Sequence, residues 1–153
     1  MPNYNLSTRG RIADINIGMR VDRATANMTT GLDLFTISGG TVLVTLILGE
    51  VTTIMETKTI NLKLQADPTT GTTSDMSANV DMTAAEAGTL ITISGVPGTA
   101  TQLGKSGNVI GQLAPVVVAP GVIQVIIGAT HTGSIKWSVF YVPLEEGASI
   151  AAA

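Results

Sequence analysis

The residues able to do chemistry are few and far apart. His131 is the single histidine and sits in Thr130-His131-Thr132. A lone imidazole cannot build a multi-histidine metal site, and without cysteine the thiolate zinc patterns are excluded. A solvated turn histidine is the plainer expectation. Asp75 and Asp81 bracket a mixed stretch and Glu145-Glu146 fall near the C-terminus, so no calcium loop or glycosidase carboxylate pair is legible. Gly104-Lys105-Ser106 looks like the end of a phosphate-cradling loop, but Thr99 stands where that pattern needs its first glycine. Gly-x-Ser-x-Gly is absent. These absences predict a chain that is not an enzyme and holds no cofactor or metal.

The charges are more telling. All four arginines, Arg9, Arg11, Arg20 and Arg23, lie in the first thirty residues beside Asp14 and Asp22, so that segment carries +2. The remainder sets four lysines against nine acids, −5, for a net charge of −3. The interspersed acids and the lack of a Lys/Arg run favour a protein surface over nucleic acid as the arginines' target. Arg9, Arg11, Arg20 and Arg23 are therefore the expected partner-binding residues, because guanidinium groups form several hydrogen bonds at once to carboxylates and carbonyls.

The elements that must position these groups read as strands. Ala119 to Leu144 holds two apolar runs around a Thr/His/Gly turn and is predicted to be a central β-hairpin. Its first arm is apolar enough to be covered on both faces. The second arm carries Trp137, Phe140 and Tyr141, three of the chain's five aromatics, which are expected to anchor the core. Strand signals recur roughly every ten residues, the rhythm of a β-sandwich, and give seven or eight strands. Leu32 to Ser38 turns at Gly39-Gly40 into Thr41 to Leu48 as a second hairpin, with a bulge expected at Gly49-Glu50. Thr59 to Ala66 alternates cleanly, Thr83 to Gly88 reads as one helical turn, Gly95 to Asn108 as an exposed loop, and Pro115 confines its strand to an edge.

Three parts result: an N-terminal arm, 1–31, lacking core periodicity; a β-sandwich domain, 32–144; and a C-terminal tail, 145–153. The fold class is all-β, an antiparallel β-sandwich with an extended arm. Charged residues are only 12% of the chain and mean hydropathy is +0.40, so the surface is rich in Thr, Ser, Gly and apolar groups that association would cover. A homo-oligomer is expected, a trimer first. No apolar run reaches the ~20 residues of a membrane helix, and no signal peptide is visible, which predicts cytoplasmic synthesis and no membrane partner.

In the Asn/Thr/Arg-rich stretch from Asn3 to Thr30, the Thr36-Ile37-Ser38-Gly39-Gly40 turn, and Ile135 to Leu144 with the acidic, Ala-rich tail, the chain resembles small all-β virion proteins of tailed bacteriophages, head decoration or cement proteins above all. That resemblance implies a jelly-roll-like module, often trimeric, on the virion surface. It would bind junctions of the major capsid protein and use a terminal arm to bridge subunits. Tail-fibre or baseplate modules share the same Thr/Gly-rich strands, and a carbohydrate-binding module is a reading of another class.

Overall fold

A computed structural model describes residues 17–130 and 132–153. Arg9, Arg11 and His131 lie outside them. The described chain has no helix and forms twelve strands: β1 (Met19–Asn27), β2 (Leu32–Ser38), β3 (Val42–Thr53), β4 (Asn61–Pro68), β5 (Ser74–Asp75), β6 (Val80–Asp81), β7 (Leu90–Thr92), β8 (Gln102–Gly104), β9 (Val116–Val118), β10 (Gly121–Ile127), β11 (Ser134–Pro143) and β12 (Ser149–Ala152). They make two antiparallel sheets packed face to face. The first runs β1-β11-β3-β7-β8, with β9 also paired to β3; the second runs β12-β2-β10-β4-β5, with β6 also paired to β4. The expected β-sandwich is present.

Both predicted hairpins are instead arches. β10 pairs with β2 and β4 in the second sheet, while β11 pairs with β1 and β3 in the first. The chain likewise crosses between sheets from β2 to β3. An arch and a hairpin demand the same alternation within each strand, since both turn one apolar face to the core. Each arm is a central strand, as expected, but β10 is covered on one face only. Ile123, Val125 and Ile127 are buried, whereas Val122, Gln124 and Ile126 are half-buried on its outer side.

The arm and tail boundaries also shift. Of the expected arm, Met19–Asn27 pairs along β11, and of the expected tail, Ser149–Ala152 pairs along β2 with Ile150 in the core; residues 1–16 lie outside the described residues. Both are faint in the sequence because an edge strand contributes few core side chains: β1 is exposed or half-buried throughout. Thr83 to Gly88 forms consecutive turns rather than a helical one, with Ala85 N–H donating to Met82 and Thr89 N–H to Glu86. The loop from Gly95 contains β8, and the strand after Pro115 is confined to Val116–Val118 on β3's edge.

The core is set by β11 against β3. Trp137 is 1% exposed and Tyr141 4%, as expected of core aromatics. Opposite Trp137 lies Gly49, where a Cβ would come within 2.8 Å of the indole Cζ3. The glycine is not a bulge but the space the indole fills. The β3 bulges fall at Thr45 and Thr52, where the β11 register shifts. Phe140 is a correction: it points outward from the first sheet and is half-buried. The third core aromatic is Phe35. Strict alternation opposes it to Leu34, but a register shift between β2 and β10 turns both inward and leaves Asp33 outside, accepting from Gln124 at 2.7 Å.

Candidate docking face

The outer faces of the two sheets differ in chemistry. On the second sheet the outward residues are mostly polar and bond one another: Lys63 and Gln65 donate to Asp75 at 2.8 and 2.7 Å, Gln124 to Asp33, and Ser38 meets Ser149 at 3.3 Å. Such a face is finished by water. On the first sheet, cross-strand rows are apolar. Val117, Leu43 and Val142 are neighbours across β9, β3 and β11, and Leu46 stands opposite Phe140. Leu43, Leu46, Leu48, Phe140 and Val142 are all half-buried, and Val117 is 61% exposed. The row arises because β3 reads Val-Leu-Val-Thr-Leu-Ile-Leu, apolar at both parities, so burying one set leaves the other outside.

Charged groups border one end of this patch. Arg20 Nε donates to Asp22 Oδ1 at 2.7 Å, Ser138 Oγ donates to the same oxygen at 2.6 Å, and the guanidinium carbon sits 5.7 Å from the Phe140 ring centroid. The hydroxyl of Ser138 and the guanidinium of Arg20 hold the Asp22 carboxyl below its ordinary range. Lys136 pairs with Glu50 at 2.9 Å. Both Arg20 and Asp22 are well exposed, so the pair adds little to stability. Its effect is to hold the guanidinium beside an aromatic ring.

Of the four arginines expected to meet a partner, the structure places two on β1. Arg20 lies at the rim of the apolar patch. Arg23 is Trp137's cross-strand partner, and its Nε is buried with no hydrogen-bond partner among the described residues. The two share strand β1 and both line one groove with Asp22, Lys136 and Ser138. The other sequence candidates are engaged in local structure. Asp81 accepts from Thr83 and Glu145 from Thr41, and each carboxyl is lowered by those hydrogen bonds. Among the described residues no cluster of three or more His, Asp or Glu could hold a metal ion, and no helix is long and apolar enough to cross a membrane.

The apolar patch is absent from the sequence reading. Leu43 and Leu46 do carry a signal, the apolar run of β3 broken only by Thr45, but such a run is equally the pattern of a strand buried on both sides. A separate groove of about 250 Å³ opens between the sheets, lined by Met76, Val116, Val118 and Val122 with Asp67 and Asp75 at its rim. Comparison with protein-family models, with curated proteins and with solved structures finds no match.

Proposed function

We propose that the chain is a non-enzymatic structural protein that sits on a larger protein assembly, with the outer face of the β1-β11-β3 sheet as its contact surface. The observation that carries this reading is the contrast between the two outer faces, one polar and internally bonded, the other apolar with a charged rim. Apolar groups at the centre of a patch and arginine beside an aromatic at its edge are the composition of protein contacts rather than of nucleic-acid or lipid surfaces. The resemblance of the sequence to phage virion proteins supplies the specific form of the role. In that form the chain decorates and stabilises a bacteriophage capsid at junctions of its major capsid protein, on the virion surface, as a homo-oligomer, a trimer first. The low charge of the chain supports self-association on the same grounds.

The experiment is to mix the purified chain with undecorated shells of a major capsid protein, sediment them together and image the pellet by cryo-electron microscopy. The expected result is regular density over the shell at subunit junctions. Copies confined to a tail would replace the reading with a fibre or baseplate role, and no binding alongside capture on a glycan array would replace it with carbohydrate recognition.

A further inference from the structure

Edge strand β1 carries an extra residue against the strand it pairs with. Arg23 stands opposite Trp137 and Ala26 opposite Ile135, so three steps along β1 match two along β11, and the edge bulges at Ala24-Thr25. Beside the bulge opens a groove of about 360 Å³ whose wall includes Arg20, Asp22, Arg23, Lys136, Trp137 and Ser138. Three cations and one carboxylate give that wall a charge of +2, in a chain whose net charge is −3. Two of the cations are already matched, Arg20 with Asp22 at 2.7 Å and Lys136 with Glu50 at 2.9 Å. Arg23 makes no ion pair among the described residues, and its Nε is buried without an acceptor. Its cross-strand neighbour repeats the pattern, since Trp137 is 1% exposed and its indole Nε1 is also buried and unpartnered. The part of the indole that fills the Gly49 space is Cζ3, Cε3 and Cη2, remote from Nε1, so the N–H lies on the side away from β3. Buried donors in folded proteins are almost always satisfied, and two unmet donors on paired residues mark a place for an acceptor.

We propose that this groove takes a carboxylate, an aspartate or glutamate side chain of the partner protein, with the Arg23 guanidinium as its principal donor. The inference rests on the reading of this sheet as a contact surface and names the chemistry of what it meets. Nε–H and a neighbouring Nη–H of one guanidinium form a fork that matches the two oxygens of a carboxylate. A single negative charge suits the wall better than a phosphate, because Asp22 lines the same groove and repels a dianion more strongly. The groove is also continuous with the apolar patch. Ser138 lies two residues from Phe140 on the same side of β11, about 7 Å away at strand spacing, so one partner segment reaches both with an apolar and an acidic side chain.

Trp137 is the chain's one tryptophan, so its indole N–H gives a single signal in a nitrogen-correlated NMR spectrum. The labelled full chain is titrated at fixed ionic strength with a blocked tetraglutamate peptide, a blocked tetraglutamine peptide and inorganic phosphate, while the Trp137 indole and Arg23 Nε–H signals are followed. Both signals are expected to shift and saturate with tetraglutamate, at least about tenfold more tightly than with tetraglutamine or phosphate. Arg23→Gln should remove at least about tenfold of that affinity. Lys105→Gln, which deletes a cation beside β8 at the opposite edge of the sheet, should change it by less than about twofold. The proposal is overturned by the lack of a saturable shift, by affinity for tetraglutamine or phosphate as high as for tetraglutamate, or by equal losses from the two substitutions. If Arg23→Gln loses the dispersed spectrum of a folded chain, the three titrations of the parent still decide the question. Because the probes are free peptides and phosphate, their failure strikes this site alone and leaves the contact face to be judged on capsid shells.

Discussion

Among single residues, the tightest constraint is the pairing of Trp137 with Gly49. The indole is buried and occupies the space above a backbone that has no side chain. Trp137→Ala empties that site and is expected to cost about 3 to 5 kcal/mol in denaturant melts. Gly49→Ala forces the ring aside at about 1 to 3 kcal/mol. Because the two act on one volume, the double variant Gly49→Ala with Trp137→Ala should cost less than the sum of the singles, measured by the same melts. A second expectation for individual side chains concerns acid. The Glu56 carboxyl is lowered from 4.5 to about 2, first by its hydrogen bond with Lys58 and then by the Thr132 backbone N–H. A folded-state value below the unfolded one means that the unfolded chain takes up the proton first. The stabilisation is full above pH 4.5 and is lost as pH falls through about 2. Asp22, Asp75, Asp81 and Glu145 shift in the same direction. Thermal melts should therefore fall in this acid window, and Glu56→Gln should make the fall shallower.

Among the strands, β3 shows how an element is completed without a neighbouring strand along its whole length. β7 pairs with its Leu48–Glu50 part and β9 with Val42–Val44, leaving a gap between. Gln112 fills it: its Oε1 accepts from Ile47 N–H at 3.1 Å, and its Nε2 donates to the carbonyls of Val44 at 3.2 Å and Ala114 at 2.9 Å. Gln112→Ala leaves Ile47 N–H without that acceptor and should cost about 1 to 3 kcal/mol, seen as faster hydrogen exchange at Ile47 and a lower melt. Strand identity is legible in the sequence because period-two alternation records which side chains meet the core. Leu62 and Leu64 in β4 and Ile135, Trp137, Val139 and Tyr141 in β11 are buried as the alternation predicts. Strand partnership is not legible. Periodicity carries no information on which edge a strand pairs, so β10 and β11 read as one hairpin while belonging to different sheets. Edge strands are nearly silent as well: β1 reads as an arm because its long exposed run, with Arg20, Asp22 and Arg23 and a register irregularity after Arg23, has the character of a guarded sheet edge.

Taken whole, the sandwich has one finished face and one unfinished face. Low charge announces the surplus of apolar surface in the sequence, but the location of that surplus depends on register. Phe140 is expected in the core because it clusters with Trp137 and Tyr141, yet the alternation of β11 sets it with Lys136 and Ser138 on the other face, where it lies beside Leu46 and near Arg20. If the β1-β11-β3 face, and not the opposite one, meets the assembly, substitutions on the two faces must differ in effect. The direct measurement is co-sedimentation with undecorated capsid shells of two full-length variants checked for β signal by circular dichroism: Leu43→Lys, at the centre of the apolar row, and Gln124→Lys, on the polar face. Leu43→Lys is expected to lose binding by at least about tenfold, as a cation set into an apolar contact should, while Gln124→Lys binds as the parent does. Undiminished binding by folded Leu43→Lys, or selective loss with Gln124→Lys, would contradict the assignment of that face.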